Sequence, residues 1–455
     1  CILSPIPRIL IPHPNREHTP LMRRNLSACL LAAAAFAAPL GAQEQPHAFR
    51  GATLLPISGP PIAGGVLVVQ GGRITAVGGP DTAIPAGAVV HDLTGKTLMP
   101  GLVDTHSHIG GGDGGDRSQP MHPSVRILDA IDARDDGIQR AQAGGITTVN
   151  VMPGSGLLMS GQTVYLKLRD GNDIYDLTYC RDVVREVCGG MKMANGTNPR
   201  GEAPMAGTRA RAAAIVREKF VRAQEYREKI RRAGGADKVT PRDLELEALA
   251  EVLDGRRVVH FHSHRADDIL TAVRLSTEFG FRMVIQHGTE AYRVADELVR
   301  AKVPVSAIVI DAPGGKLEAM GTTMANGAIL ERAGVLVAFH TDDAITDSRW
   351  LLRSAGLGVR AGMSREKALE AVTLAGARML GLEERVGTLE RGKDADFLVL
   401  SGDPLSVYTR IEQTWVEGSL VFDFANPDDR RYAVGGFGAF RPGSAVHVHE
   451  GEEGH

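Results

Sequence analysis

The sequence has little cysteine, no cationic excess and one long apolar run. Four cysteines in 455 residues are too few for a disulfide scaffold or a cysteine-rich zinc module. Lys plus Arg is 51 against 54 for Asp plus Glu, a formal net charge of −3. That balance excludes a strongly basic nucleic-acid binder. Beyond residue 42 no apolar stretch is long enough to suggest a membrane span. What is present is ordinary for a globular chain: 43% hydrophobic and 23% charged residues, which excludes a disordered polypeptide. The length allows two to three domains, or one large barrel with an added domain. The fifteen histidines are the informative count.

The single apolar run lies near the start. From Met22 the chain reads Arg23-Arg24, an apolar stretch over 26–40, and the small-residue site Leu40-Gly41-Ala42. This pattern predicts a secretory signal peptide cleaved after Ala42, with residues 1–21 as upstream sequence. The run falls short of the ~20 residues that span a bilayer, so no stable anchor is expected once it is removed. The expected location is periplasmic or secreted. Cys180 and Cys188 would then sit in an oxidising compartment, where they either pair or remain two thiols; the sequence leaves both open.

Strand signals concentrate at 43–97 and again at 381–440. Val66-Leu67-Val68-Val69 and Arg73-Ile74-Thr75-Ala76-Val77 flank Gly71-Gly72 as a hairpin. A small β-sandwich domain built from both ends of the chain is expected. Between them, 98–380 alternates apolar strand-like runs (98–105, 146–152, 257–263, 282–287, 304–309, 335–341) with helical stretches (207–233, 266–279, 290–301, 364–380). Segments 164–168 and 191–194 are the best strand candidates in the third and fourth units. This predicts an α/β fold, a (β/α)₈ TIM-like barrel. The tail at 441–455 is expected to be disordered.

Most histidines of the middle segment fall at C-terminal ends of predicted strands, the face on which barrel active sites lie. His106-Ser107-His108 ends the first and His260-Phe261-His262-Ser263-His264 the fifth. His287 ends the sixth, and His340-Thr341-Asp342 the eighth. Residues two apart on a strand share a face, so His106 and His108 both point inward, and His260, His262 and His264 share a side. Imidazoles and a carboxylate converging there suit one or two divalent ions, zinc foremost.

At these residues the chain resembles the metal-dependent amidohydrolase superfamily, in its imidazolonepropionase-related and prolidase-like branch. Met99-Pro100-Gly101-Leu102-Val103-Asp104-Thr105-His106-Ser107-His108 is similar to its opening motif. Gly392-Lys393-Asp394-Ala395-Asp396-Phe397-Leu398-Val399-Leu400 is similar to its closing strand. The resemblance implies that His106 and His108 bind the more buried ion. It implies that His262 and His287 bind a second ion, or the metal and substrate in one-metal members. Asp342 would bind the first ion and move the proton. Lys192, carboxylated by carbon dioxide, would bridge two ions, with Lys167 as the rival lysine. His264 and Arg265 are expected to meet the substrate, Arg265 through a carboxylate.

The implied activity is hydrolysis of a C–N bond in a small molecule: an amide, a peptide-like bond or a cyclic amide. No nucleic-acid partner is expected, and a homo-oligomer is left open. Deamination within the superfamily is one alternative. It normally places a Glu three residues after the fifth-strand His, where this chain has Arg265, or Asp267 counting from His264. A non-catalytic binding protein on the same fold is the other alternative.

Overall fold

The computed structural model describes residues 45–436 apart from 113, 309–315 and 344. The expected leader at 1–42 and the tail at 441–455 lie outside the described residues.

Strands from both ends of the chain pair in one sheet. Its order is Ser419–Asp423, Ile411–Val416, Phe397–Leu400, Thr97–Pro100, His47–Leu54, Ile62–Gln70, Arg73–Gly78. Val89–Asp92 pairs with the first half of His47–Leu54. The two ends join where Phe397–Leu400 runs antiparallel to Thr97–Pro100. Gly71 and Gly72 close the predicted hairpin with φ of 58° and 72°, the left-handed pair that a two-residue turn demands and glycine supplies. Aromatic rings seal the join: Phe49 lies 4.8 Å from Phe397 and 5.0 Å from Trp415, centroid to centroid.

The middle of the chain is mixed α/β. Met191–Ala194, Val259–Ser263, Met283–His287, Val305–Ile308 and Val337–His340 lie side by side and parallel. Leu102–Ser107 and Ile146–Val151 form a second parallel pair. Every residue of both members of that pair is buried, the polar Asp104, Thr105, His106, Ser107, Thr147, Thr148 and Asn150 included. The end of Val337–His340 meets Leu102–Ser107, because the Asp342 N–H donates to the His106 carbonyl at 2.9 Å. That contact brings the first and last histidine-bearing segments together.

Two expectations are corrected. Segment 164–168 does form a strand, Val164–Lys167, but it runs antiparallel to Ile146–Val151. Met159–Gln162, which was not foreseen, runs antiparallel to Met191–Ala194. The helix expected over 364–380 is two helices, Arg365–Ala371 and Leu374–Leu380. It breaks because the Val372 carbonyl accepts from the Val103 N–H at 3.0 Å, and the Thr373 hydroxyl donates to the Leu369 carbonyl at 2.7 Å.

A buried charge network ties the middle to the end-built sheet. The fully buried Lys167 ammonium bonds Asp396 and, at 3.1 Å, Asp394. Arg385 reaches Asp394 at 2.8 Å and Glu417 at 3.2 Å. Cys180 and Cys188 are joined as a disulfide with their Cα atoms 5.3 Å apart, which decides the alternative left open above. Among the described residues no helix is long and apolar enough to cross a membrane.

Candidate metal centre

Four of the parallel strands deliver ligand-type side chains at or just past their C-terminal ends. His106 and His108 close Leu102–Ser107, and Lys192 lies within Met191–Ala194. His262 and His264 close Val259–Ser263, His287 ends Met283–His287, and Asp342 follows His340. Two of these residues hold left-handed backbone, Asp342 at φ 51° and His287 at φ 68°. Such a conformation costs a non-glycine residue about 1–3 kcal/mol and persists where the surroundings impose it. For Asp342 the surroundings are visible. The buried Asp104 carboxylate accepts from the Thr341 hydroxyl at 2.5 Å, the Thr341 N–H at 3.2 Å and the His106 N–H at 3.1 Å.

The first group is His106, His108 and Asp342. His106 Nε2 and His108 Nε2 are 3.3 Å apart, and Asp342 Oδ1 lies 3.2 Å and 3.1 Å from them. A tetrahedral zinc with bonds of about 2.0–2.1 Å holds such ligand atoms about 3.3 Å from one another. Proton positions lead to the same group. His108 Nδ1 lies 2.7 Å from the Met152 carbonyl, which only accepts, so in the neutral ring Nδ1 bears the hydrogen and Nε2 the lone pair. That lone pair faces a carboxylate oxygen. Acceptors pointed at one another in a buried site call for a cation between them, so the donor set fits a divalent metal.

The second group is His262, His264 and His287. The His262 and His287 rings are 4.4 Å apart, and those of His264 and His287 5.0 Å. Among the described residues neither ring nitrogen of His262 has a hydrogen-bond partner, nor has His287 Nε2. Buried nitrogens left so are costly unless something else occupies their lone pairs. Burial, reinforced by neighbouring positive centres, holds His106, His262 and His287 well below the ordinary imidazole range. They are therefore neutral, as metal ligands must be.

Lys192 lies against the first group. Its Nζ lies 3.0 Å from His106 Nε2 and 3.1 Å from the Met152 sulfur. Burial pulls its pKa down to about 7, with the Asp342 charge opposing and Lys316 adding to the shift. Lys167, the rival, is committed to Asp394 and Asp396. For Asp342 burial pushes upward, but the groups around it, the Lys192 cation among them, hold its carboxyl below the usual range.

The structure does not bring Arg265 to the cluster. Its side chain is 46% exposed and bonds Asp267 at 2.9 Å and 3.0 Å. His260 shares the parity of His262 but sits apart from both groups, between the Tyr165 hydroxyl at 3.2 Å and the Gln286 amide at 3.0 Å. His340, named above in the eighth strand end but given no role, joins His106 and His287 in a third group. The spacing of two from Asp342 was the available signal. The Met152 carbonyl and sulfur carried none.

A crystal structure of an amidohydrolase from Thermotoga maritima is 36% identical, with a TM-score of 0.76, over 83% of this chain and 99% of its own. The chain belongs to the amidohydrolase family. As a member of it, the protein is a metal-dependent enzyme. The sequence profile described as the amidohydrolase family matches residues 234–422 of this amidohydrolase. A second relative, an amidohydrolase of Hapsidospora irregularis, is 29% identical over 396 residues, 79% of this chain. This chain spans only 40% of that relative's length. The imidazolonepropionase of Sphingopyxis alaskensis is 25% identical over 76% of this chain and 89% of its own.

Proposed function

We propose that this amidohydrolase hydrolyses an amide, peptide-like or cyclic amide bond of a small molecule, with Asp342 moving the proton. The observation that carries the reading is the convergence of His106 Nε2, His108 Nε2 and Asp342 Oδ1 within 3.3 Å of one another. His106, His108 and Asp342 would hold one ion, His262 and His287 a second, and a carboxylated Lys192 would bridge them. Zinc suits this nitrogen-rich set. When bound, the metal supplies Lewis acidity and brings the pKa of water down toward about 7.

The remaining work belongs to the chain. Asp342, held as a carboxylate, accepts the proton of the attacking water and returns it to the departing nitrogen. His264 is held by the Thr289 hydroxyl at 2.7 Å from its Nδ1, which turns Nε2 toward the site to meet the developing oxyanion. Lys192, neutral over much of its range at a pKa of about 7, is ready to take up carbon dioxide.

Deamination is disfavoured by a specific feature: Arg265 and Asp267, at the positions where a deaminase carries its Glu, bond each other on the surface.

The proposed architecture is a closed barrel over 98–380 with a β-sandwich from 43–97 and 381–440. The Cys180–Cys188 disulfide supports the proposed exported location. Turnover of a panel of dipeptides, N-acyl amino acids and lactams by zinc-loaded protein tests the reading. Hydrolysis of any member supports it; release of ammonia from aminated heterocycles alone would replace it with deamination.

A further inference from the structure

We propose that His340 is a positioning residue that fixes which nitrogen His287 offers to the second metal. The inference rests on the proposed two-group metal site. His340 is fully buried, and its Nε2 lies 3.2 Å from His287 Nδ1. On its other side His340 Nδ1 is 2.9 Å from the Ser306 hydroxyl, which is 2.5 Å from the Thr105 hydroxyl. The result is a buried line, Thr105–Ser306–His340–His287, crossing four strands: Leu102–Ser107, Val305–Ile308, Val337–His340 and Met283–His287.

The line has a direction. His287 Nε2 has no partner among the described residues, and His287 is grouped with His262 and His264. For it to present a lone pair, the hydrogen of the neutral ring must sit on Nδ1. Nδ1 then donates to His340 Nε2, so the His340 hydrogen sits on its own Nδ1 and goes to Ser306. The Asp342 carboxylate cannot take that place, because its Oδ2 is 3.8 Å from His287 Nδ1, beyond a hydrogen bond. A histidine backed by two hydroxyls thus does for His287 what the Met152 carbonyl does for His108.

The test is zinc titration of metal-free wild type, His340→Phe, His340→Gln and Ser306→Ala against a chromophoric chelator, with cobalt spectra of the loaded proteins. Loss of such a supporting partner typically weakens metal binding about 10- to 100-fold. His340→Phe should lose the second ion by about that factor while keeping the first. His340→Gln, whose amide can still accept near the Nε2 position, should recover part of the loss, and Ser306→Ala should show a smaller shift in the same direction. If His340→Phe fails to fold, Ser306→Ala decides. Second-ion affinity and cobalt spectra like wild type in the folded variants would overturn the proposal. A wild type that takes up no ion would instead sink the metal reading beneath it.

Discussion

His106 and Asp342 are joined twice. The Asp342 N–H donates to the His106 carbonyl at 2.9 Å, and the Asp342 carboxylate lies 3.2 Å from His106 Nε2. The backbone bond sets the place of the carboxylate and the left-handed turn at φ 51° sets its direction, so the carboxylate is fixed beside the His106 and His108 imidazoles.

Asp342→Asn keeps the shape and removes the base. A general acid–base group of this kind contributes about 10²–10⁴-fold, so kcat should fall at least ~100-fold. Circular dichroism and melting temperature should stay close to wild type. Retained turnover would remove Asp342 from its role.

Lys192 gives a pH prediction. A base with a pKa of about 7 is mostly cationic below that pH and mostly neutral above it, and only the neutral amine adds carbon dioxide. Uptake of a second ion in bicarbonate buffer should therefore rise from about pH 6 to about pH 8. Lys192→Ala should abolish the rise, and added formate or acetate should restore part of the activity by supplying a carboxylate.

Lys167 separates the two buried lysines. Lys167→Met leaves Asp396 without its buried cation, while Asp394 keeps Arg385, a loss of about 3–5 kcal/mol for a broken buried pair. Urea denaturation should show a large drop in midpoint. Metal stoichiometry of the folded fraction should match wild type, in contrast to Lys192→Ala.

Neither cysteine of the disulfide belongs to a candidate metal-holding group among the described residues. Cys180 and Cys188 enclose a short loop, with a sequence separation of eight, and a closed loop of that length is worth about 2–3 kcal/mol. The Cys180→Ser, Cys188→Ser double variant should unfold earlier by about that amount and keep its kcat.

The sequence made the histidine-bearing strand ends legible because ligand spacing follows strand parity: His106 and His108 are two apart, and both reach the first group. The end-built sheet was legible from its hairpin glycines. The antiparallel strand Val164–Lys167 was not, because strand direction depends on partners distant in the chain and leaves no periodic mark. Arg265 looked available beside the His262-Ser263-His264 run. Its pairing with Asp267 depends on where the helix Ala266–Phe279 begins. His340 stood in the eighth strand end without a role, because its 3.2 Å contact with His287 leaves no mark in the sequence.

The most direct test is metal content of the purified protein, measured with amide turnover before chelation, after it, and after zinc is returned. One or two zinc ions per chain are expected, with activity lost with the metal and regained with zinc. A metal-free protein that turns over at full rate would contradict it.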